Sequence, residues 1–235
     1  MTITGSLKRG LVAGLCAGLL AALFAFVVAE PTMDRSIALE ESRAAATAHQ
    51  GDHPYPISRD TQRRFGAPAG FLLVGAALGL LFGLLYAGLR GREEHWRRSL
   101  MLGAAAVAVA LIVFVRYPPN PPGVGDTDTV DERTRYYFAA LLLGVAVVAG
   151  AWRISRHLAA RGWPASHRHA VSGLGAIAVI GAAYAVLPTP DDDATIPATL
   201  LWDFRMLSLG VQLLLLGGTA AVFGLLTERA SRDVR

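Results

Sequence analysis

Lysine occurs once, as Lys8, and cysteine once, as Cys16, and no Asp, Glu, Lys, Arg or His interrupts any of the six longest apolar runs of this chain. Each scarcity removes a class of function. No G-x-x-x-x-G-K-[ST] surrounds Lys8, so there is no P-loop to cradle nucleotide phosphates. A single cysteine allows neither a disulfide framework nor a cysteine metal site. Methionines 1, 33, 101 and 206 form no thioether cluster of the kind copper(I) favours. Ionisable residues inside membrane spans mark proton relays and ion sites. Their absence argues against a proton pump with a buried carboxylate and moves any strong ion site to the loops or to a partner subunit. There is no G-x-S-x-G nucleophile elbow and no His-Glu-x-x-His pair, so no enzyme is expected. The weaker candidate ligands within the runs, Cys16, Met101, Tyr184, Ser208 and Gln212, read as packing or helix-to-helix hydrogen bonding.

What remains is apolar. The 235 residues are 53% hydrophobic and 17% charged, with the charges gathered in short blocks, which is the composition of an all-α polytopic membrane protein. A helix needs about 20 apolar residues to cross a ~30 Å hydrocarbon core. The uncharged runs 10–29, 65–89, 99–115, 136–152, 170–187 and 206–227 predict six transmembrane helices in a single transmembrane domain over 1–235. The third to fifth are short and need flanking aromatics and arginines to anchor their ends. The first run, with Lys8 and Arg9 before it and Val27-Val28-Ala29 at its end, has features of a signal peptide. It is longer than the usual ~7–15-residue apolar core of one and is read as an uncleaved span. No low-complexity tract or repeat is present.

Basic residues sort by side. The N-terminus, 90–98, 153–169 and the C-terminus carry thirteen Lys and Arg against four acids, whereas 30–64, 116–135 and 188–205 carry nine against fourteen. The positive-inside rule then predicts both termini cytoplasmic and the second set of segments as external loops. An external face of acidic sign raises the local concentration of cations.

Small residues recur every fourth position at Gly10, Gly14 and Gly18 in the first run and at Gly75, Gly79 and Gly83 in the second. That spacing puts them on one helix face, where backbones can approach closely in lipid. Close helix packing is the leading reading, and a face lining a translocation path with its carbonyls is the other.

The external loops hold the chemistry. Pro118, Pro119, Pro121 and Pro122 fix φ and remove backbone donors, so the second loop cannot extend either neighbouring helix, and Asp126, Asp128, Asp131 and Glu132 follow within seven residues. The first loop offers His49, Asp52 and His53, a mixture of imidazole and carboxylate that suits Zn, Ni, Co or Fe better than the all-oxygen sites of Mg and Ca. The third repeats the theme of proline and acid with Asp191, Asp192 and Asp193. For both of these loops solvated charge is the plain alternative. Arg116, Arg133, Arg135 and Arg205 stand at span ends on the same side, where headgroup anchoring is the simpler role and holding the carboxylates the other.

The run Arg116-Tyr117-Pro118-Pro119-Asn120-Pro121-Pro122-Gly123-Val124-Gly125-Asp126, followed by Thr129 and Arg133-Thr134, resembles the signature of the CbtA family of cobalt transporter subunits. Other parts match in order: Ser58-Arg59-x-x-Gln62-x-x-Phe65-Gly66, Leu187-Pro188 followed by acids, and Trp202-x-Phe204-Arg205-x-x-Ser208. The likeness covers nearly the whole chain. It departs in Pro119, where a small residue is usual, and in six spans where five are commonly described. The resemblance implies cobalt uptake for cobalamin biosynthesis in a bacterial inner membrane, alongside CbtB, a small single-span partner bearing a histidine-rich motif. No nucleic-acid partner and no tightly bound cofactor are expected; the divalent ion is cargo. The expected function is a membrane subunit of divalent metal uptake, cobalt being favoured by the resemblance alone, whose external loops capture the ion. A non-transporting assembly or scaffold subunit is the alternative.

Overall fold

The structure, a computed structural model, describes residues 2–46, 59–89, 94–122, 124, 129–189 and 196–232. Among these there are helices and no strands. In chain order they are α1 (Ile3–Phe24), a π turn at Ala25–Ala29, α2 (Glu30–Ala46), the single turn α3 (Arg59–Thr61), a π turn at Gln62–Gly66, α4 (Ala67–Gly88), α5 (His95–Arg116), α6 (Val130–Ala160), α7 (Ala165–Val186) and α8 (Ala198–Arg232). Among the described residues six stretches are long and apolar enough to cross a membrane. Even the 22-residue α5 and α7 extend about 33 Å at 1.5 Å per residue, enough for the hydrocarbon core. The helices outrun the uncharged runs because their charged ends stay helical. In α6 the Arg156 guanidinium lies over the Trp152 ring at 5.0 Å, an arginine and an aromatic sharing one helix end.

The largest departure from the hydropathy reading is at residues 30–46, where polarity suggests a loop and the chain is helical. Pro31 is the obstacle, since a proline within a helix lacks the N–H for its i−4 bond and its ring collides with that carbonyl. The chain meets this by widening the preceding turn. The Glu30 N–H bonds Ala25 O, five residues back, which makes room for the ring. The same device precedes Pro68, where the Ala67 N–H bonds Gln62 O. Beyond Pro31 the sequence is rich in Ala, Glu and Arg, which favour helix.

The described residues fall into two compact units. The first draws on Met1–Val107, Asn120–Val124 and Thr195–Arg235, and the second on Ala108–Pro119 and Gly125–Ala194. In the first, α1 and α4 run antiparallel with their glycine faces in contact. Carbonyls of Gly75, Gly79 and Phe71 lie where side chains would otherwise stand on Gly14, Gly10 and Gly18. A Cβ on Gly14 would fall 2.9 Å from Gly79 Cα, and one on Gly79 2.8 Å from Gly14 Cα. Alongside this seam, Ala13, Phe82, Tyr86, Ala220 and Phe223 form the buried core, with α8 supplying the last two. The Phe82 and Tyr86 rings meet Phe223 at 5.2 and 4.8 Å between centroids. The buried Ser99 hydroxyl of α5 donates to Ala220 O at 2.6 Å, satisfying a polar group that lipid could not.

In the second unit α6 and α7 form a helical hairpin. Gly162, at φ 79°, closes α6: the Trp163 N–H returns to Leu158 O and the Gly162 N–H to Ala159 O, a Schellman stop followed by Pro164. Val113, Tyr117 and Ala140 are the buried residues where α6 packs on the end of α5, with Tyr136, Leu141 and Leu187 around them.

Gly79→Ala is expected to lose about 1–3 kcal/mol in detergent unfolding, because the new methyl group meets backbone. That loss outweighs the ~1 kcal/mol by which alanine exceeds glycine in helix propensity. Gly181→Ala in α7, where a methyl group meets nothing within 4 Å, is expected to be neutral or stabilising. Equal unfolding midpoints for the two variants would show that the seam does not limit stability.

Candidate functional site

The proline-rich segment that follows α5 is built as a latch. Its first two residues face the end of α7 within the second unit. The Arg116 guanidinium donates to Leu187 O and, at 3.3 Å, to Thr189 Oγ1, while the Tyr117 hydroxyl donates to Pro188 O at 3.0 Å. These partners lie 71 to 73 residues apart in sequence. The Leu187 carbonyl is one that the end of α7 would otherwise leave without an intrahelical partner. Arg116 also lies over the Tyr117 and Tyr184 rings at 6.0 and 5.9 Å, so its charge rests on aromatic faces.

From Tyr117 the contacts continue to α6. The Tyr117 and Tyr136 rings stack with an interplanar angle of 13°, and the Tyr136 hydroxyl donates to Glu132 Oε1 at 2.6 Å. Asp131 and Glu132 occupy the first turn of α6, where the helix dipole favours negative charge. The Thr134 hydroxyl returns to Val130 O at 2.7 Å, tightening the same turn. Three helix ends are thereby joined through one arginine and two tyrosines.

The next part of the motif, residues 120–124, belongs to the first unit. Asn120 Oδ1 accepts from Arg205 of α8 at 2.9 Å, and Pro121, Val124 and Ile196 are buried. Pro118 and Pro122 are half-buried, as are Phe204, Arg133 and Thr129, whereas Trp202 is exposed. Tyr117, Asn120 and Arg205 thus work by hydrogen bonding, and the prolines by holding the backbone that carries them.

The carboxylates and histidines singled out from sequence as metal ligands, His49, Asp52, His53, Asp126, Asp128, Asp191, Asp192 and Asp193, lie outside the described residues, as does Gly125 of the motif. Thr129 follows Asp128 by one residue and Thr189 precedes Asp191 by two, so the latched helix ends are the roots of both acidic segments. Among the described residues no group of three His, Cys, Asp or Glu side chains could hold a metal ion.

A second charged cluster was not foreseen. Arg63, in the second π turn, reaches Glu30 at 3.6 Å and Asp34 at 3.8 Å and lies over the Phe26 ring of the first π turn at 5.1 Å. Glu30 is buried. Its signal was in the sequence as a carboxylate pair at i, i+4 directly after an apolar run, and it was obscured by reading residues 30–46 as a loop. The two π turns are therefore joined at the far end of the α1–α4 seam from the N-terminus, by a cation between two carboxylates.

Because Arg205 and Asn120 couple through one charged hydrogen bond, Arg205→Gln and Asn120→Ala are expected to be non-additive. A double-mutant cycle read by unfolding should give a coupling of about 1 kcal/mol, and additive effects would show that this bond does not hold the segment.

No curated protein and no solved structure matches the chain. A family model does: CbtA, described as a probable cobalt transporter subunit, matches residues 4–228. With six helices long and apolar enough to span a membrane and a match over nearly its whole length, the chain belongs to the CbtA family of cobalt transporter subunits.

Proposed function

We propose that this subunit brings cobalt in from the outer face of a bacterial inner membrane, with Asp126, Asp128 and Asp191–Asp193 collecting the hydrated ion and His49, Asp52 and His53 adding imidazole and carboxylate ligands. The observation that carries this reading is the latch. Arg116 and Tyr117, which open the loop that carries Asp126 and Asp128, bond the end of α7, after which Asp191–Asp193 follow in sequence; this supports the reading that the two groups of carboxylates serve one ion. Holding ligands close raises their effective concentration for a shared cation without any new contact. Imidazole and carboxylate fit a borderline ion such as cobalt(II), and the family supplies the choice among Co, Ni and Zn.

Both termini face the cytoplasm in this reading, which the positive-inside rule supports. Entry of a double positive charge towards a negative interior gains about 4.6 kcal/mol per 100 mV, at ~2.3 kcal/mol for each charge. That gradient drives inward movement without nucleotide. The family's description as a subunit implies partner subunits. Here we propose a small single-span chain of the CbtB type, whose histidine-rich segment supplies ligands that the spans lack. Cobalt so imported serves cobalamin biosynthesis.

Uptake of radiolabelled cobalt into cells expressing the chain with its partner tests the reading. The double variant Asp126→Asn, Asp128→Asn is expected to lower uptake at limiting cobalt by about tenfold or more, since even outer-shell changes at metal sites cost 10–100-fold. Unchanged uptake would remove these carboxylates from the path. Vesicles holding chain and partner that accumulate no cobalt would favour the alternative, a non-transporting assembly subunit.

Imidazole ligates in its neutral form, so a contribution from His49 and His53 should weaken as pH falls below about 6.5. Replacing both histidines with glutamine is expected to flatten that part of the pH profile. A profile that keeps its shape would show that they do not bind the ion.

A further inference from the structure

Within the second unit, the end of the α6–α7 hairpin away from the latch carries positive charge alone. Residues 133–190, which make up nearly all of the hairpin, contain no Asp or Glu. Glu132 precedes Arg153 by 21 residues, about 31 Å along the helix at 1.5 Å per residue. Arg153, Arg156 and Arg161 are exposed at the end of α6, and Arg168 is half-buried in the first turn of α7. Arg153 and Arg156 stand one turn apart on one face, where like charges raise each other's energy. Among the described residues no carboxylate lies within ion-pair distance of any of the four. The Arg168 Nε is buried and has no acceptor.

Membrane topology asks for less than this. The positive-inside rule needs arginines on one side of the bilayer, and any position in the segment would serve. It does not call for Arg168 in the first turn of α7, where the helix dipole disfavours a cation. Nor does it call for the aromatic residues beside the charges. Trp152, 48% exposed, closes the uncharged run of α6, and Trp163, 43% exposed, lies in the turn before α7. Tryptophans so placed mark the headgroup level of a bilayer. The Arg156 guanidinium, over the Trp152 ring at 5.0 Å, is held at that level.

We propose that this end of the hairpin binds the headgroups of anionic phospholipids, with Arg153, Arg156, Arg161 and Arg168 donating to phosphate oxygens beside the two tryptophan rings. The planar fork of a guanidinium matches phosphate oxygens two at a time. A lipid fits better than a soluble acidic partner because the charged and aromatic groups share a short stretch at the end of a membrane-crossing helix. Past Trp152, α6 runs only to Ala160, about 12 Å further, and arginine side chains reach back along that length to keep their charge at the interface. Basic surfaces between helices at this depth are where anionic headgroups settle. The site stands apart from the metal-handling loops and does not rest on the transport reading.

The full chain in detergent is titrated with phosphatidylglycerol and, separately, with phosphatidylcholine, and bound lipids are counted by native mass spectrometry. The two lipids share a phosphodiester, and the choline ammonium cancels its charge. Phosphatidylglycerol is expected to bind saturably and about tenfold more tightly. The double variant Arg156→Gln, Arg168→Gln should weaken that binding about tenfold or more, since each basic group near an anionic surface contributes about fivefold. Arg97→Gln with Arg229→Gln, which removes two exposed arginines of the first unit, should leave it unchanged. Should the first double variant not fold, Arg156→Gln and Arg168→Gln singly carry the test, each with about a fivefold loss. Equal affinity for the two lipids, or equal losses in the two double variants, overturns the proposal and leaves the arginines to topology or to an acidic protein partner.

Discussion

The close approach of α1 and α4 is the constraint on which the first unit depends. Lipid tails are as apolar as leucine, so burial of apolar surface gives these helices no reason to pair. What draws them together is dispersion between backbones that touch directly, and this requires positions with no side chain. Gly10, Gly14 and Gly18 meet Gly75, Gly79 and Gly83 in antiparallel order, and α8 then packs Ala220 and Phe223 beside the seam. The pairing also fixes what lies at each end. Ser6 is buried because the backbone at Gly83 leaves it nowhere else to go, and the two π turns at 25–29 and 62–66 are brought to the opposite end, where Arg63 joins them.

The second unit solves a different problem. Helix ends in a membrane protein expose carbonyls at a depth where water is scarce, and each needs a partner. At the end of α7 the carbonyls of Leu187 and Pro188 are answered from α5, by Arg116 and Tyr117. The prolines that follow explain why this geometry holds. With φ fixed and donors removed, the segment cannot rewind onto α5, so Tyr117 stays against α6 and Asn120 within reach of Arg205. A stretch that read as a stiff acidic loop is, in its described part, a set of hydrogen-bonded supports.

How much of this could be read beforehand follows from the range of each interaction. Helix number and class were legible because hydropathy is a local sum, and the six apolar runs lie within the six helical stretches that can span a membrane apart from a residue or two at their ends. The glycine spacing was legible as a face, but not the face it meets, since nothing local says that residue 14 stands opposite residues 75 and 79. Residues 30–46 were misread because proline and charge signal a loop in any local window, while the answer to Pro31 lies in the hydrogen bonds of the turn before it. The partners of Arg116 were beyond reach for the same reason as the glycines: the acceptors are more than seventy residues away and are backbone carbonyls, which leave no mark in sequence. Headgroup anchoring, the simpler reading for that arginine, took no account of the need at the end of α7.

Antiparallel pairing also gives the first unit an electrical sense along its length. One end of the α1–α4 pair holds Glu30, Asp34 and Arg63, and the other holds Arg9, His95 and Arg98. Glu30 is buried, and a carboxylate out of water keeps its charge at tolerable cost only when it is paired. Arg63, at 3.6 Å from Glu30 and 3.8 Å from Asp34, answers both acids from the other π turn, so the charges at this end act as part of the packing that the seam sets up.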